Sequence, residues 1–414
     1  MLSRRDLCGF GFALCCGSLP TRAQPKSGDP ARVIRALPGA SFTGASGNAS
    51  TALMGFEGTV PGAVLRIKRG EELRARLVNG LAEPTSIHWH GVRVPNGMDG
   101  VPPLTQQPVE PGASFDYTFR PRDAGTFWYR AHSLEQVGRG LYGALIIEES
   151  ENVDVDRDLV LVLGEPIATQ SPSKAPVLVN GSVSPEMAVQ VGDRLRLRLI
   201  NAAVARGFAL KLQGLIPWVA AIDGQPVDPF LPHEGRVVLA PGGRIDLFAD
   251  IAGDRGAALM LAGMRDEQPI ARLVYDGTRQ PRSRRQQPPP ALPSNPLPAR
   301  IDLKSALRAE LVLAHASPID LPRAPMFTVN RGRPVSLGIQ KPSGGPHVVH
   351  LHGHHFRLLD RLDDGWKPYW LDTLVIGEAG ERIAFVADNP GRWLIEWHML
   401  ERPNAGAATW FAVT

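Results

Sequence analysis

The histidines of this 414-residue chain fall into tight groups near its two ends. One group contains His88 and His90, and the other contains His350 and His352 within a run of five histidines between residues 347 and 355. Imidazole is a common protein ligand for copper, zinc and iron. Two such groups far apart in the chain predict a metal site assembled between distant segments.

Each group contains a His-x-His pair. Residues i and i+2 of a strand point to the same face and lie about 6.5 Å apart at ~3.3 Å per residue. This separation is too long for two ligands of one metal, but it suits two adjacent metals. His132 and His398 stand alone in aromatic segments, with Arg130 and Glu396 at the positions where a second histidine would complete the same spacing.

The three cysteines, Cys8, Cys15 and Cys16, lie at the N-terminus. Residues 1–23 have the features of a removable export signal, and a pair of arginines predicts the twin-arginine route, with a general secretory signal as the alternative. Removal would take away every thiol. It would also take away three arginines and one aspartate, so the formal charge would fall from +4 to +2. We therefore expect a periplasmic protein with no membrane span after signal removal, and the charge pattern does not indicate nucleic-acid binding.

The composition favours strands over long helices. The chain has 43 glycines and 38 prolines, and its apolar runs are short and bounded by turn residues. We predict β-rich domains over residues 31–150, 155–275 and 300–414. The Pro- and Arg-rich segment 276–299 is expected to be an extended linker that cannot form a core.

Longer motifs carry a resemblance to a known family. They include His88-Trp-His-Gly, Met98-Asp-Gly-Val-Pro, Gly125-Thr-Phe-Trp-Tyr, His350-Leu-His-Gly-His and Val386-Ala-Asp-Asn-Pro-Gly-Arg-Trp393. In these stretches the chain resembles the laccase-like multicopper oxidases, and the resemblance spans the whole chain after residue 23. It implies an all-β fold of three cupredoxin-like Greek-key β-barrels, in which histidines of the first and third domains meet.

The resemblance also implies two kinds of copper site. In such enzymes a type 1 copper, held by a cysteine and two histidines, passes electrons from the substrate to a trinuclear cluster of eight histidines that reduces O2 to water. By position, six cluster ligands are retained for the type 2 copper and the type 3 pair: His88 and His350, then His90, His132, His352 and His398. Arg130 and Glu396 replace the other two. Asp99 matches an acidic residue that helps to move protons near the type 2 copper of relatives.

The type 1 positions depart further from the family pattern. His347 stands at one histidine position, but Trp397 occupies the cysteine position. Arg402 occupies the second histidine position, and Ala407 the axial one. An indole cannot replace a thiolate as a soft ligand and electron conduit. The resemblance therefore implies a degenerate active site, for which we do not expect ordinary laccase turnover.

Arg130 and Glu396 are expected to pair across the cluster cavity, since an unpaired charge in a partly buried site costs several kcal/mol. The competing interpretation has Glu396 as an oxygen ligand of a metal and Arg130 turned to solvent. The remaining histidines are interpreted as ordinary residues: His233, His315, His354 and His355.

Two functions follow from these observations. In the first, the chain is a periplasmic copper-binding member of the oxidase family that holds fewer than four copper ions and has weak or altered oxidase chemistry. In the second, it is a copper-free scaffold similar to the cell-division relatives of this family. The implied partners are copper ions, together with a small reducing substrate or a periplasmic protein. The sequence does not name a substrate or a catalytic residue.

Overall fold

A computed structural model describes most of the chain after the expected export signal. The described residues are 31–40, 53–165, 176–251, 257–262, 267–275, 288–313, 321–341, 344–359, 369–400 and 402–414. The expected signal, the first half of the expected linker and His315 lie outside them. The all-β fold prediction is confirmed. The described residues contain no helix that is long and apolar enough to cross a membrane.

The first region contains eight strands and a short helix. They are β1 (Arg32–Pro38), β2 (Met54–Phe56), β3 (Gly62–Lys68), β4 (Leu73–Asn79), β5 (Ile87–His90), β6 (Ser114–Phe119), β7 (Gly125–Ala131), α1 (Leu134–Gly138) and β8 (Tyr142–Glu148). They form two four-stranded sheets, in the orders β2-β1-β4-β6 and β3-β8-β7-β5. β4 alternates buried and more exposed residues, as a half-buried strand does, whereas β7 is buried at every position. β7 is thus enclosed on both faces.

The second region contains eleven strands. They are β9 (Arg157–Gly164), β10 (Leu178–Val179), β11 (Glu186–Val189), β12 (Arg194–Asn201), β13 (Phe208–Gln213), β14 (Trp218–Ile222), β15 (Gln225–Phe230), β16 (Arg236–Leu239), β17 (Arg244–Asp250), β18 (Ala257–Ala262) and β19 (Glu267–Tyr275). In the described chain they form a six-stranded and a five-stranded sheet, in the orders β10-β9-β12-β17-β14-β15 and β11-β19-β18-β13-β16.

The third region contains the remaining strands. They are β20 (Leu307–Val312), β21 (Thr328–Val329), β22 (Pro334–Gln340), β23 (His347–Leu351), β24 (Arg357–Leu358), β25 (Thr373–Ile376), β26 (Glu381–Val386), β27 (Gly391–Met399) and β28 (Arg402–Val413). The sheet orders are β20-β22-β26-β24 and β21-β28-β27-β23-β25. Short 3₁₀ turns lie at Asn96–Met98 and His233–Gly235.

The buried apolar side chains show how the regions are joined. Most of those of the first and third regions belong to one cluster, which also takes in Val162, Ile200, Ala202 and Val204 of the second region. The main cluster of the second region is separate. The first and third regions therefore share an interior, which brings β5 and β7 close to β23 and β27.

The described part of the expected linker, residues 288–299, has no helix or strand, as an extended segment should. It nevertheless contributes to two small apolar clusters. Leu292 is buried against Ala220 and Phe248, and Leu297 packs with Trp370. These side chains join clusters formed mainly by residues of the second and third regions. A proline-rich backbone that lacks ladder hydrogen bonds can still bury its leucines.

Candidate metal centre

The two His-x-His groups meet at the junction of the first and third regions. β5 carries His88 and His90, β23 carries His350, and His352 follows one residue after β23. His88 Nε2 lies 3.2 Å from His350 Nε2, although the two residues are 262 positions apart. The prediction that the histidines of the first and third domains meet is confirmed.

The protonation of His88 and His350 follows from their backbone contacts. His88 Nδ1 lies 2.9 Å from the carbonyl oxygen of Asp99, and His350 Nδ1 lies 2.9 Å from the carbonyl oxygen of Asp372. A carbonyl can only accept, so both Nδ1 atoms carry a hydrogen and donate it. In the neutral rings both Nε2 atoms are therefore unprotonated.

The two unprotonated Nε2 atoms face each other with no hydrogen between them. Two imidazoles bound to one tetrahedral metal at ~2.0 Å would have nitrogens about 3.3 Å apart. The 3.2 Å separation of His88 and His350 matches that spacing. The Nδ1 contacts to backbone carbonyls are those that orient metal-binding histidines. A cation between the two Nε2 atoms would remove the repulsion of their lone pairs.

His90 adds a third imidazole to this pair. Its ring stacks on that of His350 with centroids 3.7 Å apart, and its Nε2 lies 3.0 Å from the Thr373 hydroxyl. Ligand atoms of His88, His90 and His350 all lie within 4.8 Å of one another. Burial lowers the pKa of His88 to about 4 and those of His90 and His350 well below the usual value. All three are thus neutral at pH 7, the form that binds a metal.

Asp99 and His352 form a second group that shares His88. Their ligand atoms lie within 4.8 Å of each other and of His88, and Asp99 Oδ2 lies 3.0 Å from His352 Nδ1. Burial alone would lower the pKa of His352, but the Asp99 and Glu396 carboxylates outweigh it and raise this pKa to about 9. In the metal-free protein His352 is therefore a cation at neutral pH, and it must lose a proton before it can bind a metal.

Arg130 and Glu396 form an ion pair beside these histidines. Arg130 comes from β7 and is 2% exposed, and its Nη2 donates to Oε1 of Glu396 on β27. Its Nη1 donates to the backbone carbonyls of Ala131 and His132, at 3.1 and 3.0 Å. Burial would raise the pKa of Glu396, but the Arg130 guanidinium holds it well below its usual range. The predicted pair is confirmed, and the competing interpretation, in which Arg130 faces solvent, was wrong.

His132 and His398 lie near this ion pair. His132 Nε2 is 3.8 Å from Glu396 Oε2, and His398 Nε2 is 2.9 Å from the Val204 carbonyl, to which it donates. Among the described residues, neither belongs to a group of three metal-binding side chains with ligand atoms within 4.8 Å. The structure therefore brings four of the six predicted histidines together and places these two beside them.

Asp372 and Arg244 belong to the site but were not predicted from the sequence. Asp372 is fully buried; its oxygens accept from Arg244 at 2.8 and 2.6 Å, and Oδ1 lies 3.4 Å from His90 Nε2. Asp372 thus links the second region to both histidine groups. No motif singles out either residue, since an isolated Asp and an isolated Arg occur in most β proteins.

Comparison with known proteins agrees with this geometry. Two family profiles, both described as multicopper oxidase, match residues 42–152 and 293–414, which together are more than half of the chain. The chain belongs to the multicopper oxidase family. The crystal structure of a multi-copper oxidase from Pseudomonas thermotolerans is 31% identical, with a TM-score of 0.82 over 93% of this chain and 99% of that one.

Two further relatives cover similar lengths. The crystal structure of Lac15, from a marine microbial metagenome, is 34% identical, with a TM-score of 0.81 over 93% of this chain and 100% of that one. Multicopper oxidase MmcO of Mycobacterium tuberculosis is 26% identical over 98% of this chain and 96% of its own length. The prediction of three cupredoxin-like domains is confirmed by the fold of these multicopper oxidases.

The four positions that the resemblance assigned to a type 1 site, His347, Trp397, Arg402 and Ala407, lie in neighbouring strands of one sheet. Trp397 on β27 is paired with Ala407 on β28, and both are buried. Met399 is paired with His347 on one side and Arg402 on the other. The described residues of this multicopper oxidase supply no thiol here, since the cysteines of the chain lie at positions 8, 15 and 16.

The raised pKa of His352 predicts a pH dependence of the metal-free multicopper oxidase. Because the folded pKa, about 9, is above the unfolded value of about 6.5, the stabilisation is fully present below pH ~6.5 and is lost as pH rises through ~9. We expect the contribution of His352 to the free energy of unfolding to fall by up to about 3 kcal/mol between pH 6.5 and 9.5. The fall should be much smaller in His352→Gln. Urea unfolding in the presence of a chelator measures the free energy of unfolding of the wild-type protein and of the variant at each pH. An equal dependence on pH in the two proteins would contradict the charge assigned to His352.

Proposed function

We propose that this protein binds one copper ion between its first and third domains, at His88 and His350 with His90 beside them. The observation that carries the proposal is the pair of unprotonated Nε2 atoms that face each other at 3.2 Å. Copper suits a site of neutral imidazoles. Zinc also binds imidazole nitrogens, so the ligands do not separate the two metals. The membership of the chain in the multicopper oxidase family supports copper.

The surroundings favour one ion over a full trinuclear cluster. By the family pattern each copper of a type 3 pair would lack one ligand here, at Arg130 or at Glu396, and the buried Arg130 guanidinium places a fixed positive charge nearby. His398 donates its Nε2 hydrogen to a backbone carbonyl. A second or third cation would therefore find fewer ligands and more repulsion than the first.

Bound copper would supply one-electron redox chemistry, and the chain's own residues would hold the ion and limit the access of water. His88, His350 and Asp99 are at most 4% exposed. Asp99 and His352 hold a proton between them beside the site. With tryptophan at the thiolate position, we infer that electron entry by the usual route is lost and that oxidase activity is weak or altered. We also propose export to the periplasm, which the paired arginines of residues 1–23 support.

A copper-free scaffold is the second candidate function. One feature favours it, a row of four charged side chains in which anions and cations alternate: Asp99, His352, Glu396 and Arg130. Asp99 lies 3.0 Å from His352, and His352 lies 3.5 Å from Glu396. The charges in this half of the cavity therefore balance without a metal. The facing lone pairs of His88 Nε2 and His350 Nε2 are not compensated in this way, and this difference favours copper binding.

The optical spectrum of the copper-loaded protein tests the proposed site. Because an intense blue colour requires a copper–thiolate bond, we expect no strong band at about 600 nm. Electron paramagnetic resonance should show Cu(II) with nitrogen ligands and without the narrow hyperfine splitting of a blue site. An intense blue band in the mature protein would contradict both the proposed ligands and the loss of the type 1 site.

A further inference from the structure

The second domain reaches the histidine cluster through Arg244, the first residue of β17. Arg244 is fully buried, and its Nη1 and Nη2 donate to the two oxygens of Asp372, at 2.8 and 2.6 Å. Its Nε and Nη1 also donate to the backbone carbonyls of Thr126 and Gly242, at 3.3 and 3.1 Å. A planar guanidinium with partners on all three nitrogens is fixed in orientation. Arg244 therefore holds the Asp372 carboxylate in one position.

Thr373 connects this carboxylate to two histidine rings. Its hydroxyl oxygen lies 2.8 Å from Asp372 Oδ1. It also lies 3.0 Å from His90 Nε2 and 3.2 Å from His350 Nδ1. A carboxylate paired with a guanidinium can only accept, so the single hydroxyl hydrogen points to Asp372. The hydroxyl oxygen is then an acceptor for both rings, and His90 Nε2 and His350 Nδ1 carry the hydrogens that they donate to it.

Arg130 favours the same tautomer of His90 at the other ring nitrogen. Its Nε lies 3.5 Å from His90 Nδ1, a long contact in which the guanidinium can only donate. Nδ1 is then unprotonated, in agreement with a hydrogen on Nε2. The lone pair of the neutral His90 ring is therefore on Nδ1, and that of His350 is on Nε2.

Two glycines allow the second domain to pack directly against His90. Gly91 follows β5 with φ of 81°, and a side chain there would overlap the Arg244 guanidinium and the Asp372 carboxylate. Gly242 lies in the turn before β17 with φ of 80°, and a Cβ atom there would lie 3.0 Å from His90 Cε1. The ion pair thus packs against the backbone that carries His90, and its displacement would move that histidine.

We propose that Arg244 is a positioning residue of the copper site. Through Asp372 and Thr373 it fixes the rotation and the tautomer of His90 and His350, and so it sets how tightly copper is held. All six predicted copper ligands come from the first and third domains, and Arg244 makes two of them depend on the second domain. This inference rests on the proposed function, because it concerns the affinity of that same site.

Two substitutions test this role by chelator competition for copper. Thr373→Val keeps the shape of the side chain but removes the hydroxyl, and Arg244→Lys keeps a cation that cannot grip both oxygens. Each should weaken copper binding at least about 10-fold, because losing a partner that orients a ligand costs about 10- to 100-fold. Each should also change the magnetic resonance spectrum of bound Cu(II). Thr373→Ser, which retains the hydroxyl, should bind copper as the wild-type protein does.

Arg194→Lys is the matched control for Arg244→Lys. Arg194 lies in the same sheet, is 2% exposed and donates to both oxygens of Asp250, at 2.7 and 2.9 Å. It pairs with the far end of β17, six residues from Arg244 and roughly 20 Å away along the strand. This lysine should destabilise the second domain in a similar way but leave copper affinity unchanged.

Each of three results would overturn the proposal: wild-type copper affinity in Thr373→Val or in Arg244→Lys, an equal loss of affinity in Thr373→Ser, or an equal loss in Arg194→Lys. The last would mean that any damage to the second domain weakens the site. If Arg244→Lys fails to fold, the two threonine variants still decide.

A wild-type protein that binds no copper would contradict the proposed function, and the metal-free protein would then test the positioning role. Nitrogen-15 NMR of the metal-free wild-type protein should show one tautomer of each ring, with hydrogen on His90 Nε2 and on His350 Nδ1. In Thr373→Val, His90 should become a mixture of tautomers. An unchanged His90 spectrum in this variant would overturn the proposal.

Discussion

Replacing Glu396 by histidine alone is expected to lower the free energy of unfolding by about 3–5 kcal/mol, the usual cost of removing one partner of a buried ion pair. The variant would leave Arg130, which is 2% exposed, without its carboxylate. It would also leave that guanidinium in the same cavity as the cationic His352. Replacing Arg130 alone by histidine should destabilise the protein in the same direction.

The double variant, with both Arg130 and Glu396 changed to histidine, should behave differently. Two neutral imidazoles leave no unpaired charge, so most of the stability should return. The fixed positive charge is also removed and two ligands are added, so the copper content should rise above that of the wild-type protein. Urea unfolding and metal analysis of the purified variants measure the two effects.

An exposed pair provides the matched control. Arg76 and Asp116 also form an Arg–carboxylate pair, through two hydrogen bonds of 2.7 Å, but about half of each side chain is exposed. Asp116→Asn should leave stability nearly unchanged, because water screens surface pairs. The role assigned to Arg130 and Glu396 would be refuted if Glu396→His were no more harmful than this control, or if the double variant bound no additional copper.

Replacing His350 by glutamine should weaken copper binding at least about 10-fold, because losing a direct ligand should cost no less than losing a neighbour that only orients one. Glutamine is similar in size but offers no imidazole nitrogen to face His88 Nε2. His233→Gln provides the control, since His233 lies in an exposed turn. Competition with a chelator of known affinity measures both variants. Equal affinities would show that copper, if bound, lies elsewhere.

The sequence predicted the fold and much of the candidate site. The His-x-His spacing and the family motifs predicted that β5 and β23 meet, and the contact of His88 with His350 agrees. The pairing of Arg130 with Glu396 followed from the family pattern, which placed both residues in one cavity, and from the charge argument that a buried cation and anion should pair. These predictions succeeded because local patterns and simple electrostatics determine them.

Other features depend on tertiary contacts that no local pattern contains. In β12, leucines alternate with Arg194, Arg196 and Arg198, a pattern typical of a strand with one face in water. All eight residues of β12 are buried, because Arg196 meets Glu149 and Asp246 at the junction with the first region. Only the packing of one domain on another determines that contact.

The orientation of single side chains was also beyond the sequence. The spacing places His398 beside Glu396, but it does not indicate that His398 Nε2 turns to the Val204 carbonyl of the second region. Asp372 likewise acquires its role only because Arg244 and His355 approach it from different segments. A histidine count therefore overestimates the number of available metal ligands.

The copper content of the mature protein, purified after copper supplementation and dialysis, tests the central claim most directly. The arrangement of His88 and His350 predicts about one tightly bound copper ion per chain, with nitrogen ligands visible in its magnetic resonance spectrum. A protein that retains no copper would contradict this account and favour the scaffold. A protein that retains three or four ions would contradict it in the opposite direction, since a full cluster would then form despite Arg130 and Glu396.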